Sequence, residues 1–137
     1  QIISAAALLS QIGASAYSAT KSAALSFAES LAISHGHNGI RVSAACPQYV
    51  ATPMLGFDSA KSFKYSKTII SPDQAAERIV DGVLQEKFLI FTDSDLKKFY
   101  YRKCKDYDLW IAGMQRLRKN IVKETGAINL DQMHKFV

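Results

Sequence analysis

Tyr17-Ser18-Ala19-Thr20-Lys21 opens an eighteen-residue stretch, running to Ser34, that contains neither proline nor glycine. His35-Gly36-His37-Asn38-Gly39 interrupts it, and Ile40-Arg41-Val42-Ser43-Ala44-Ala45-Cys46 then runs up to Pro47. Ala19, Ala23, Phe27 and Leu31 recur at helical spacing in the first stretch, which therefore reads as one long helix. The two glycines and Asn38 supply the residues that end a helix. The apolar, partly β-branched run that follows reads as a short strand. Working outward, Ile2-Ile3-Ser4 is the end of an earlier strand, joined to the helix by a small-residue loop, Ala5 to Ala16, that turns at Gly13. Beyond Pro47, residues Gln48 to Ile70 are loop-like, with a short helix expected around Asp58 to Tyr65. Ser71-Pro72-Asp73-Gln74 combines a capping serine, proline at the first helical position and glutamine three residues on. The helix it starts is expected to reach about Gln85 and to bury Ala75, Ile79, Val83 and Leu84. Phe88-Leu89-Ile90-Phe91 is a further buried strand, and helices are expected from Ser94 and from Asp106, followed by a tail.

Strands alternating with helices in this way predict an α/β fold of parallel strands joined by right-handed crossovers. Three parallel strands alone make a poor sheet, because such strands need both faces and both edges covered. The organisation predicts further chain ahead of Gln1, which stands in the middle of an apolar run.

Composition narrows the class. The chain has 137 residues, 48% of them hydrophobic and 21% charged, which is the balance of one ordinary globular domain. Its longest apolar runs, such as Ala5 to Leu9, are too short to span a bilayer. Cys46 and Cys104 form no disulfide framework and have no metal-ligand spacing; free thiols suit a cytoplasmic location. Cys46, in an apolar strand, reads as a small core residue. The net charge of +5 comes largely from Lys97, Lys98, Arg102, Lys103, Lys105, Arg116, Arg118 and Lys119. Phe99, Tyr100, Leu109, Trp110 and Leu117 interleave with them as an apolar stripe, so the basic residues read as solvated helix faces. No nucleic-acid motif accompanies the charge. His35 and His37 lie two residues apart in a glycine-rich turn without partner ligands, and no metal is expected.

The chemistry is carried by Tyr17 and Lys21, four apart and so on one helix face. A free tyrosine titrates near ~10 and is a poor base at neutral pH, and a nearby ammonium favours the phenolate. The pair alone is weak evidence, because Tyr101 and Lys105 share its spacing. Phe88, which has no hydroxyl, stands thirteen positions before Tyr101, whereas Ser4 stands thirteen before Tyr17. Only the first pair is followed by a strand that ends at a proline, in Pro47-Gln48-Tyr49-Val50-Ala51-Thr52.

Ser4, Tyr17 through Lys21, and Gly39-Ile40-Arg41-Val42-Ser43 leading to Pro47 through Met54 together resemble the short-chain dehydrogenase/reductase family, over roughly Gln1 to Phe91. The resemblance implies the C-terminal half of a Rossmann-like, doubly wound parallel sheet: its last three strands with crossover helices, then a helical tail. Residues 1–92 would be part of the NAD(P)-binding domain carrying the active site, and 93–137 a helical extension of the same domain. Ser4 would stabilise the substrate oxygen and Tyr17 would be the general acid/base. Lys21 would lower the tyrosine pKa and bind the nicotinamide ribose of NAD or NADP. Pro47, Gln48, Val50 and Thr52 would hold the carboxamide end, through backbone at Val50 and the hydroxyl of Thr52.

The Phe57 to Tyr65 segment, which could also be read as a membrane-touching amphipath, would by the resemblance be the mobile lid over the substrate, with Leu55, Phe57 and Phe63 as an apolar pocket wall for a hydrophobic alcohol or ketone. A face of Ala19, Ser22, Ala23, Ser26 and Ser30 would pack in a homodimer or homotetramer. Two positions depart from the family pattern: Gln48 follows the proline where glycine is usual, and Ala7 replaces a glycine near the serine. The family's glycine-rich pyrophosphate turn is not found in these 137 residues. About half of the protein is therefore expected upstream, and the chain alone is expected to be inactive. A non-catalytic member of the same fold is the alternative reading.

Overall fold

The structure is a computed structural model, and it describes residues 1–57, 69–130, 133 and 136. The expected helix at Asp58 to Tyr65, and Phe63 with it, lie outside the described residues. The elements in order are α1 (Ala6–Leu9), α2 (Ser15–His35), β1 (Ala44–Cys46), β2 (Tyr49–Val50), β3 (Ile69–Ile70), α3 (Pro72–Leu84), β4 (Leu89–Phe91), α4 (Ser94–Lys105) and α5 (Tyr107–Thr125).

The sheet is parallel. β1 pairs with β4 in the register Ala44–Leu89, Ala45–Ile90 and Cys46–Phe91. On the other edge of β1 the first residues run parallel to it. Ala45 N donates to Gln1 O at 2.8 Å, Ile3 N to Ala45 O at 2.8 Å and Ala5 N to Pro47 O at 2.8 Å. β1, fully buried, is thus the middle of three parallel segments, its small side chains leaving room for helices against the sheet. Past Pro47 the chain makes a second parallel pair, β2 with β3, in the register Tyr49–Ile69 and Val50–Ile70. This pair brings together the two ends of the segment between them.

The core joins the beginning of the chain to its C-terminal helices. Ile3, Ala5, Leu8, Leu25, Ala28, Ala44, Cys46 and Leu96 form one buried cluster. Burial pushes the Cys46 thiol above its ordinary value, and a hydrogen bond with the Ser4 backbone works more weakly against it. α2 enters the core through Ser18, Leu25 and Ala28, while Phe27 is 59% exposed.

α3 starts as the capping residues predict, with reciprocal bonds between Ser71 and Gln74. Its buried face differs from the expected one. Ala75 and Gly82 are buried, whereas Val83 and Leu84 are exposed. A Cβ on Gly82 would stand 2.7 Å from Ile90, so the helix lies directly on β4 through a bare backbone. α4 and α5 are capped by Asp93 and Asp106, whose carboxylates accept from the amides of the first turns.

Lys103 also differs from the solvated face expected of it. It is 8% exposed, donates from Nζ to the Leu8 carbonyl at 2.5 Å, and stands 4.9 Å from the Tyr107 ring centroid. A cation buried to that degree needs an acceptor, and the open carbonyl end of the one-turn α1 provides it.

Candidate active site

Ser4 leaves the sheet where the first segment ends, and is 8% exposed. The Ala6 amide donates to its Oγ at 3.1 Å, so the hydroxyl proton is left to be given to another acceptor. The Ala5–Pro47 backbone bond sets this turn directly beside the loop that follows β1.

Tyr17 lies in the first turn of α2, 38% exposed, with the Lys21 ammonium 5.6 Å from its ring centroid. Two serines fasten this helix to the Ser4 turn. The Gln11 amide donates to Ser18 Oγ at 2.9 Å, and Ser22 Oγ donates to the Ala7 carbonyl at 3.0 Å. Ser18 follows Tyr17 and Ser22 follows Lys21, so the anchors sit beside the two candidate residues. Neither was singled out for this purpose; the signal was a hydroxyl residue immediately after each, facing a loop of small residues. Ser22 belongs to the face expected to pack between subunits, and the described structure gives its hydroxyl an internal partner.

A cavity of about 390 Å³ opens beside Ser4. Gln48 and Tyr49 line it from the chain after β1, Leu9 from the end of α1, Ile12 from the loop before α2, and Phe99, Trp110 and Leu117 from α4 and α5. Burial raises the Tyr49 phenol above its ordinary value. Ser4 and Gln48 therefore meet at one cavity. Tyr17, Lys21, Pro47, Val50 and Thr52 are not among its lining residues. Pro47, Val50 and Thr52 are half-buried in the adjoining loop. Leu55 and Phe57 are also half-buried but do not line the cavity; among the described residues, much of its apolar wall comes from α4 and α5 instead, with Leu9 and Ile12.

No group of described residues is arranged to hold a metal ion. No described helix is long and apolar enough to cross a membrane.

A parallel α/β sheet, a serine at the end of one segment and a Tyr-Lys helix pinned beside it are thus brought together. Comparison with known proteins identifies the family. A family profile described as short chain dehydrogenase matches residues 1–62. The chain is 35% identical over 95 residues to 1-deoxy-11-beta-hydroxypentalenate dehydrogenase of Streptomyces avermitilis, a match covering 69% of this chain and 35% of that protein. It is 34% identical over 103 residues to epidermal retinol dehydrogenase 2 of Mus musculus, covering 73% and 32% respectively. Among solved structures, a short-chain dehydrogenase from Sphingobium yanoikuyae in complex with NADPH superposes with a TM-score of 0.57 at 19% identity, over 88% of this chain and 44% of that one. The chain belongs to the short-chain dehydrogenase/reductase family. It spans about a third of the length of the curated relatives it matches.

Proposed function

We propose that the chain is the C-terminal, reaction-bearing part of an NAD- or NADP-dependent alcohol dehydrogenase or carbonyl reductase. The observation that carries the reading is the pinning of the Tyr17–Lys21 helix to the Ser4 turn by Ser18 and Ser22, with Ser4 opening on the cavity. The residues present suit the nicotinamide end of such a cofactor. Among the described residues the Lys21 ammonium has no carboxylate partner, which leaves its donors for ribose hydroxyls. Pro47, Gln48, Val50 and the Thr52 hydroxyl offer a loop for the carboxamide. The pyrophosphate cradle is a different matter: Gly113 is inside α5 and Gly126 caps its end, so neither follows a strand.

When bound, the cofactor exchanges a hydride with the carbinol or carbonyl carbon. In the oxidative direction the Tyr17 phenolate takes the hydroxyl proton as the C–H electron pair leaves. Lys21 stabilises the phenolate electrostatically. Ser4 donates its hydroxyl proton to the reacting oxygen, aligning it as negative charge develops there. In reduction the phenol returns the proton to the carbonyl oxygen.

The names of the two relatives, one for a hydroxylated compound and one for a retinol, favour an alcohol as substrate. The apolar cavity favours a hydrophobic one. We further propose a cytoplasmic enzyme that assembles as a homodimer or homotetramer through the exposed Ala19, Ala23, Ser26 and Ser30 face of α2.

The test is nicotinamide absorbance during turnover by the full-length protein on a panel of hydrophobic alcohols and ketones. Tyr17→Phe is expected to lower kcat by about 10²–10⁴-fold. Full activity in that variant would sink the assignment. Lys21→Met is expected to weaken both cofactor affinity and turnover. Nucleotide binding with no turnover on any substrate would favour a binding module instead.

A further inference from the structure

The cavity beside Ser4 is apolar over most of its wall but carries two guanidinium groups, Arg102 from α4 and Arg116 from α5. No described carboxylate lines it. The two ion pairs of the described residues, Arg41–Glu86 and Lys98–Asp95, involve neither arginine. Neither side chain has a hydrogen-bond acceptor among those residues. Gly113, also in the wall, occupies a helix interior, where glycine costs about 1 kcal/mol relative to alanine. The nearest outside atom to a Cβ placed there is an Arg116 guanidinium nitrogen at 4.0 Å. The missing side chain thus keeps open the space next to that guanidinium.

Both arginines are exposed, and a guanidinium presents a planar fork of donors that matches a carboxylate. The cavity's volume falls in the range that encloses most of a small organic ligand. We infer that the substrate is a hydrophobic alcohol or ketone bearing a carboxylate, its apolar body lying between Trp110, Phe99 and Leu117 and its carboxylate taken by Arg102 and Arg116. This rests on the reading of Ser4 as the residue at the reacting oxygen.

The test compares ω-hydroxydecanoate with its methyl ester on the full-length protein at neutral pH. Binding is read by titration calorimetry and by Trp110 fluorescence, with Trp110→Phe as the control, and turnover is followed separately. The acid is expected to bind at least tenfold more tightly than the ester. Arg102→Gln and Arg116→Gln are each expected to erase most of that preference. Equal binding of acid and ester by the unaltered protein overturns the inference, as does binding of neither. A preference that survives the double glutamine variant overturns it too. Selective binding of the acid without turnover leaves the carboxylate site standing and removes the oxidoreductase reading. Turnover with the ester preferred does the reverse.

Discussion

Tyr17 and Tyr101 show how little a residue pair says alone. Lys21 stands 5.6 Å from the first ring, and Lys97, one turn before Tyr101, stands 5.9 Å from the second. Local cation–ring geometry does not separate them. The difference lies in Ser18 and Ser22, which tie the first pair to a turn holding Ser4; Tyr101 is 61% exposed on α4. Ser4 and Tyr17 were legible as candidates because they are fixed in sequence relative to a strand end and a later proline. Much of the apolar wall was not, since Phe99, Trp110 and Leu117 lie on α4 and α5, far from Ser4 in the chain. The cysteines give a prediction at this scale. Cys104 is exposed, while Cys46 is buried with its thiol held above the ordinary value. A thiol-alkylating reagent near neutral pH is expected to label Cys104 readily and Cys46 only on unfolding, checked by mass spectrometry of the two peptides. Equal labelling of the two in the folded chain would contradict this burial.

Among the elements, those with strong terminal chemistry were read most accurately. Ser71-Pro72 and Asp106 start helices because each offers an oxygen to amides that have no partner within the helix. Which face is buried was harder. On α3, Val83 and Leu84 are apolar but exposed, because the contact with β4 is made through Gly82, which no count of apolar residues rewards. Gly82→Ala sets two effects against each other. Helix propensity favours alanine by about 1 kcal/mol, but the new methyl meets Ile90 at 2.7 Å. Overpacking of that kind costs about 1–3 kcal/mol, so net destabilisation is expected, visible as a lower urea midpoint at unchanged slope. Ser71→Ala is expected to cost about 1 kcal/mol by the same measurement. For α4, Lys103→Met keeps the buried stem and loses the bond to Leu8. A loss of about 1–3 kcal/mol is expected from the carbonyl left without its donor, and an unchanged midpoint would argue against the bond.

For the whole molecule, the α/β class with parallel strands was legible from the alternation of elements. The strands are shorter than their apolar runs: Ile40 and Arg41 are exposed, and only Ala44–Cys46 forms β1. Cys46, Tyr49 and Tyr100 all have ionisation pushed up by burial in the folded chain, from ordinary values of 9.0 for the thiol and 10.0 for the phenols. Above about pH 9 the unfolded chain releases these protons while the folded chain retains them. The unfolded state then binds fewer protons and stability falls as pH rises. Thermal midpoints are expected to be level between pH 7 and about 8.5 and to decline beyond, and a midpoint rising through pH 10 would refute this. The wall of the cavity bears on a different question, how such a protein diversifies. The hydroxyl and the Tyr-Lys pair belong to the first 21 residues, whereas much of the apolar wall and both guanidinium groups come after residue 98. On the proposed reading, exchanging the last two helices would therefore change the wall, and with it the choice of substrate, without any change to the residues assigned to the reaction.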